Sequence, residues 1–246
     1  MAHNLPDIDA RTLLTLTSRA ITNVNRFVKD ADILFQNSST HHSLYLCTIG
    51  VEEWIHAVLY HAEAYDLRTG SKGRRTLLSS KRSALSLVSE ALDYAIEVAF
   101  VSWIKQSESA FELIIQLLQS DPEEGKATLQ KLIAILTTDR TREEALMVKS
   151  LVELKQSDYL RLKALSDAQK NSCFVTINSG FDEITDEVAE DYLSVLFTLN
   201  DFTQMLAGEV KKQLGSEELF EKNRRLQTMF GEFWKEKKLT ILENLY

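Results

Sequence analysis

Proline and glycine are scarce in this chain, with two prolines and eight glycines among 246 residues. Because both residues interrupt helices, their scarcity favours long, continuous helices. Cysteine is equally rare, and Cys47 and Cys173 lie too far apart in sequence to form a metal-binding or redox motif. Two free or buried thiols in a reducing cytosol are therefore expected, and a disulfide framework is not.

Long apolar runs and an excess of positive charge are also missing. The longest stretch without charge, residues 33–51, is interrupted by a polar turn and two histidines, so no membrane span is expected. The N-terminus lacks the basic and then apolar pattern of a secretory signal. A formal net charge of −8 argues against nucleic acid covering the whole surface, but it leaves room for a local basic patch.

Apolar residues recur at spacings of three and four through most of the chain, which predicts an all-α protein. Asp7 or Asp9 is expected to cap the first helix, and Ser107 marks a break within a long apolar pattern. Pro122 should begin a helix, while Thr141 with Glu144 forms a capping box for the next one.

The longest segment without a helical pattern is residues 167–185, in which residues 173–178 could form a short extended piece. Neither an internal repeat nor a low-complexity linker divides the chain. The prediction is therefore one helical domain spanning 1–246, an antiparallel bundle with a core at about 9–120 and a helical extension at about 121–246.

Residues 41–67 are expected to form a central helix, because both of its sides are poor in charge. This stretch holds four of the five histidines and two adjacent carboxylates, Glu52 and Glu53. A buried carboxylate must find a partner or keep its proton. The sequence therefore predicts a polar site in the core, formed by Glu52, Glu53 and His56.

The pair Glu53 and His56 also has the spacing with which one helix offers two ligands to a metal ion. A ferritin-like oxidase would need a second such motif, and no histidine follows His61. The alternative is structural: Glu52 pairs with His56 along the helix, and Glu53 bonds a basic or hydroxyl group of a neighbouring helix. No cofactor is expected in the leading interpretation.

The only concentrated positive charge follows this helix. It comprises six basic residues: Arg68, Lys72, Arg74, Arg75, Lys81 and Arg82. These side chains could contact the phosphates of RNA or a protein partner. The alternative is a solvated loop that balances nearby acids. The glycines of this segment do not have the spacing of a phosphate-binding loop.

Five short stretches in three regions of the chain, at 30–57, 153–159 and 184–189, resemble motifs of the AbiV family of abortive-infection proteins, which is assigned to the HEPN superfamily of helical domains. Residues 30–34 (DADIL), 43–46 (SLYL) and 50–57 (GVEEWIHA) are similar to the family's first two helices, including the adjacent glutamates. Residues 153–159 (ELKQSDY) and 184–189 (ITDEVA) are similar to later motifs, in the same order. His56 stands where the family usually has lysine.

This resemblance implies a HEPN-like bundle and a cytoplasmic phage-defence protein that arrests translation. It also implies a homodimer and an RNA or protein partner, which could be encoded by the phage. Active HEPN ribonucleases have an arginine four to six residues before a histidine, and this chain has no such pair. The leading hypothesis is therefore a binding protein with no assigned catalytic residue; the alternatives are a ferritin-like oxidase and a non-catalytic helical adaptor.

Overall fold

The computed structural model describes residues 9–65, 84–120, 122–157 and 186–245, and every regular element in these ranges is an α-helix. The predicted all-α class is therefore confirmed. The predicted irregular segment at 167–185, with its possible extended piece at 173–178, lies outside the described residues. The described helices are α1 (Ala10–Gln36), α2 (Thr40–Ala64), α3 (Ala84–Gln106), α4 (Glu108–Gln119), α5 (Pro122–Thr138), α6 (Glu143–Ser157), α7 (Asp186–Gly215) and α8 (Glu217–Leu245).

Most of the predicted helix boundaries agree with the structure. Asp9 caps α1, because its Oδ1 accepts a hydrogen bond of 2.7 Å from the Thr12 N–H. The break between α3 and α4 lies at Ser107, and α5 begins at Pro122. The start of α6 was predicted one residue too early, at Thr141. In the structure the cap position is Arg142, whose carbonyl accepts the first helical hydrogen bond, from the Leu146 N–H.

The bundle is built on α1, α2 and α7. A tight turn joins α1 to α2, and Ser43 Oγ donates a hydrogen bond of 2.7 Å to the Ala31 carbonyl across this hairpin. Helix α7, from the part of the chain predicted as an extension, packs against both. At this junction Gly50 faces Leu196, and farther along Trp54 meets Phe202 edge to face at 6.2 Å between ring centroids.

The remaining helices complete one connected hydrophobic core. Helix α3 packs against α6, α4 against α5, and α8 contacts α3, α4, α5 and α7. None of the described helices is long and apolar enough to cross a membrane.

Burial follows the helical period closely in the middle of the elements and less well near their ends. On the second helix, spacings of three and four in the sequence predict eight inward apolar positions, and all eight are buried: Leu44, Cys47, Val51, Trp54, Ile55, Val58, Ala62 and Tyr65. In contrast, Val188 in the first turn of α7 and Leu118 in the last turn of α4 follow the apolar spacing of their helices, which predicts that they face inward, but both are exposed. A side chain in a terminal turn meets fewer neighbouring helices, so the period alone does not bury it.

Candidate functional site

The structure separates the three residues of the predicted core polar site. Glu53 is half-buried, and its Oε2 accepts a hydrogen bond of 3.1 Å from Asn23 Nδ2 of α1. Glu52 and His56 are exposed on the outer side of α2. The prediction that all three share a site in the core is therefore wrong for Glu52 and His56.

The helical period explains this separation. Residues three and four apart lie on one face, so Glu52 and His56 share the exposed stripe of α2. We call this stripe the outer face of α2; its members are Tyr45, Ile49, Glu52, His56 and Tyr60. The imidazole of His56 stacks on the ring of Tyr60, with 5.8 Å between centroids and 20° between planes. Glu53, one position along the helix, is turned toward α1 instead.

No group of three or more histidine, cysteine, aspartate or glutamate side chains suited to a metal ion occurs in the described parts of the chain. Glu53, which bonds Asn23, and His56, which is exposed, do not share an enclosed position. The six basic residues of the predicted contact surface (Arg68, Lys72, Arg74, Arg75, Lys81 and Arg82) lie outside the described residues, so the structure does not place them.

A different set of polar groups is enclosed between α2, α3 and α8. We call it the buried polar layer; it consists of His61, Tyr94, Glu97, Lys105, Asn223 and Gln227. Tyr94 and Lys105 are half-buried, and the other four are buried. His61 is 3% exposed, and its Nδ1 lies 2.9 Å from the Tyr94 hydroxyl. Lys105 Nζ donates a hydrogen bond of 3.2 Å to Asn223 Oδ1. These two contacts join α2 to α3 and α3 to α8.

Burial shifts the pKa of every ionisable group in this layer in the direction that favours its neutral form. Desolvation, assisted by the positive charge of Lys105, lowers the pKa of His61 to about 3. Burial raises the pKa of Glu97, although Lys235 opposes this shift, and it lowers the pKa of Lys105, although Glu209 opposes it. The pKa of Tyr94 rises well above its usual value, mainly through burial.

The surroundings of His61 determine what the layer can do chemically. The ring of Tyr65 covers the imidazole at 4.8 Å between centroids, and His61 Nε2 has no hydrogen-bond partner among the described residues. A neutral, enclosed imidazole cannot exchange protons readily with a substrate in solvent. The buried polar layer therefore serves to fix how α2, α3 and α8 pack.

The thiol of Cys47 is also enclosed. This residue has no exposed surface, and burial raises the pKa of its thiol to about 12. A thiol that stays protonated at neutral pH is a poor nucleophile and a poor metal ligand. Cys47 is therefore a core residue; Cys173 lies outside the described residues.

His61 was the residue that sequence reasoning missed. Its neighbours in the helical pattern, Ala57, Val58 and Tyr65, are all buried, whereas His56 is followed one turn later by the half-exposed Tyr60. This difference between the helical neighbours of His61 and His56 could have indicated from the sequence that His61 is the buried histidine. The partner of His61, Tyr94, belongs to another helix and gives no comparable signal.

Comparison with protein-family models, curated proteins and solved structures finds no match to this chain.

Proposed function

We propose that this protein is a cytoplasmic protein of the abortive-infection type, which arrests translation by binding RNA or a protein partner. The observation that carries this proposal is the outer face of α2. The helix holding the two adjacent glutamates of the AbiV resemblance presents Tyr45, Glu52, His56 and Tyr60 outward. The proposal includes a homodimer and a trigger encoded by the phage, as the resemblance implies.

The composition and rigidity of this face support a binding role. Tyrosine is enriched at protein interfaces because its large ring loses little conformational entropy and its hydroxyl can hydrogen-bond. The opposite sides of α2 pack against α1, α3 and α7, so the exposed side chains stand on a fixed backbone. Along the chain, the six basic residues at 68–82 follow this helix directly.

The test is a cell-free translation reaction with purified protein, in which reporter output and RNA integrity are followed together. Arrest with intact RNA is the expected result, and fragmented RNA would point to a nuclease instead. Reversing the charges of Arg74, Arg75, Lys81 and Arg82 should weaken arrest and RNA binding while the helical content stays unchanged. The matched control reverses four exposed charges on described helices: Lys29, Lys211, Lys222 and Arg225.

A second candidate, a non-catalytic helical adaptor, is favoured by the contact between Glu53 and Asn23. This hydrogen bond gives Glu53 a packing role between α1 and α2. If the adaptor interpretation holds, Glu53→Gln changes the free energy of unfolding, and the variant and the wild type give the same reporter output in the translation reaction. Translation arrest that is lost in Glu52→Ala but kept in Glu53→Gln would favour the outer face as a contact surface.

A further inference from the structure

The solvent-facing side of α5 is poor in charge. Among residues 127–138 only Lys131 is charged, although six positions of this stretch are exposed: Ala127, Gln130, Lys131, Ala134, Thr137 and Thr138. The hydroxyls of Thr137 and Thr138 donate hydrogen bonds of 2.8 and 3.0 Å to carbonyls four residues earlier in the same helix. Covering this side would therefore leave neither hydroxyl without a partner, which avoids a main cost of burying polar groups.

A groove runs beside this surface, between α4 and α5. It consists of two adjoining depressions of about 490 and 420 Å³, which share Ser109, Ala134 and Ile135. The half-buried side chains of Leu113 and Ile135 form an apolar floor in the second depression. The exposed side of α5 is thus a ridge next to a groove, and a surface that has both shapes can fit a copy of itself.

The two walls of the groove carry opposite charges. Glu112 stands on the α4 wall and Lys131 on the α5 wall, and both side chains are exposed. Neither residue makes an ion pair in the described part of the chain. Turned about a two-fold axis, the same surface offers a lysine to Glu112 and a glutamate to Lys131. The groove is therefore complementary in charge to a second copy of itself.

We propose that two copies of this chain associate about a two-fold axis, with α5 of each copy packed along the groove of the other. Glu112 of each copy then pairs with Lys131 of the second copy, and the small side chain of Ala134 lets the helices approach closely. Helices α4 and α5 of both copies form a four-helix arrangement with Leu113 and Ile135 toward its centre. The proposed function includes a homodimer, on which this inference rests, and the inference names the face that forms it.

The size of this face predicts a weak dimer. Helix α5 has 17 residues and is therefore about 25 Å long, and two adjacent helices are about 20 Å wide. Each copy would bury on the order of 500 Å², which is less than the roughly 800 Å² per partner of a standard interface. We therefore expect a dissociation constant in the micromolar range, so that the dimer forms as the protein becomes concentrated.

The charges along the groove disfavour RNA as its occupant. Three carboxylates line it, those of Glu108, Glu112 and Asp139, against two cations, Lys131 and Arg142. One of these cations is already engaged, because Arg142 Nη2 lies 3.5 Å from Asp139 Oδ2. A chain of phosphates would meet net repulsion along this length. A second copy of the protein instead brings one charge of each sign.

The first experiment is sedimentation velocity of the full chain at concentrations from well below to well above the micromolar range. The mass should rise from 28.0 kDa toward twice that value as the concentration increases. A mass of 28.0 kDa at every concentration overturns the proposal, because the groove is then left for a different protein. A mass that rises only when single-stranded oligouridine is added also overturns it and assigns the surface to RNA.

Exchanging the two charges tests the face itself. Glu112→Lys and Lys131→Glu should each weaken the dimer by about 10-fold or more, because each substitution places like charges opposite one another. An equimolar mixture of the two variants should recover most of the wild-type affinity, since both opposite-charge pairs form again between unlike chains. The double variant Glu112→Lys/Lys131→Glu should recover it for the same reason. A mixture no tighter than the single variants contradicts this face.

Two further variants control for the change in net charge. Glu232→Lys and Lys211→Glu alter the net charge by the same amounts at exposed positions outside the groove, and both should dimerise like the wild type. Circular dichroism should show the same helical content in all variants, because every substituted side chain is exposed. A dimer that survives both groove substitutions contradicts the assignment. Translation arrest is measured separately, so failure of the proposed function is distinguishable from failure of this interface.

Discussion

The carboxylate of Glu97 on α3 occupies the space that a side chain at Gly231 on α8 would need. A Cβ atom added to Gly231 would lie 2.5 Å from Glu97 Oε1 and 3.3 Å from Glu97 Cδ. Both residues are buried. The absence of a side chain at position 231 therefore allows an ionisable group to lie directly against the backbone of a neighbouring helix.

Gly231→Ala should destabilise the protein, although alanine is the better helix former. The new methyl group forces the Glu97 carboxyl to move within a packed core, at a cost of about 1–3 kcal/mol. Improved helix propensity returns about 1 kcal/mol at most. Urea unfolding followed by circular dichroism measures the difference.

Gly208→Ala is the matched control for this substitution. Gly208 lies in α7, and no atom approaches its added Cβ within 4 Å. That variant should gain stability, by up to about 1 kcal/mol. If Gly231→Ala is stabilised to the same degree, the close contact with Glu97 is not present in solution. Adding Glu97→Ala to Gly231→Ala should recover part of the loss, since the two residues are in contact.

These contacts also show where sequence-based prediction reached its limit. The period of three to four residues correctly predicted every inward position named on α2, because that helix is covered by neighbours along its length. The cap at Asp9 was predictable because this residue and its target, Thr12, lie three positions apart.

The partners of the polar groups could not be predicted in the same way. Glu97 meets Gly231, and His61 meets Tyr94, only after separate helices pack together. The paired residues lie far apart in the sequence, and no spacing in a single sequence indicates that they will meet. For the same reason Glu52 and His56 were assigned to the core: the pattern showed that α2 is largely apolar, but it did not show which stripe remains uncovered.

The pKa of His61 predicts how stability depends on pH. Its ordinary value is 6.5, and burial lowers it to about 3 in the folded protein. Between these two values the unfolded chain binds a proton that the folded chain does not. Stability should therefore fall as the pH drops below 6.5, with a contribution from His61 of about 1.4 kcal/mol per pH unit until the pH approaches 3.

The measurement is the free energy of unfolding in urea at a series of pH values for the wild type and His61→Gln. The variant cannot titrate, so its stability should depend less steeply on pH across this window. His56→Gln is the control, because His56 is exposed, and its pH dependence should match the wild type. The raised pKa of Glu97 acts in the opposite sense, with stability lost as the pH rises through it, and this effect cancels in the comparison. Equal slopes for His61→Gln and the wild type would contradict the burial of His61.

Cys47 should react with thiol reagents only when the protein opens. Its side chain is fully enclosed, and its raised pKa leaves almost no thiolate at neutral pH. In a Cys173→Ala background, labelling by a soluble disulfide reagent should be slow in buffer and rapid in denaturing urea. Adding a cysteine at the exposed position Arg140 gives the matched control, which should label quickly in buffer. Fast labelling of Cys47 without urea would mean that the contact between α1 and α2 opens readily.

Gly50 sets how closely α1, α2 and α7 approach one another. A Cβ at this position would lie 2.8 Å from Leu196 Cδ1 and 3.4 Å from Phe27 Cβ. Leu196 has no exposed surface, so its methyl groups cannot move outward. Gly50→Ala should therefore cost about 1–3 kcal/mol of stability, less the roughly 1 kcal/mol that alanine returns to the helix.

A double-mutant cycle with Leu196→Val isolates this contact. Valine removes a methylene group at the point of collision, so the pair of substitutions should cost less than the sum of the two separate ones. Strictly additive losses would place the cost of Gly50→Ala outside the contact with Leu196. The stretch at 50–57, which resembles the AbiV motif, begins at this glycine. The same variant therefore tests whether the proposed translation arrest depends on how α2 packs. Arrest that weakens in proportion to the loss of folded protein would assign Gly50 a packing role alone.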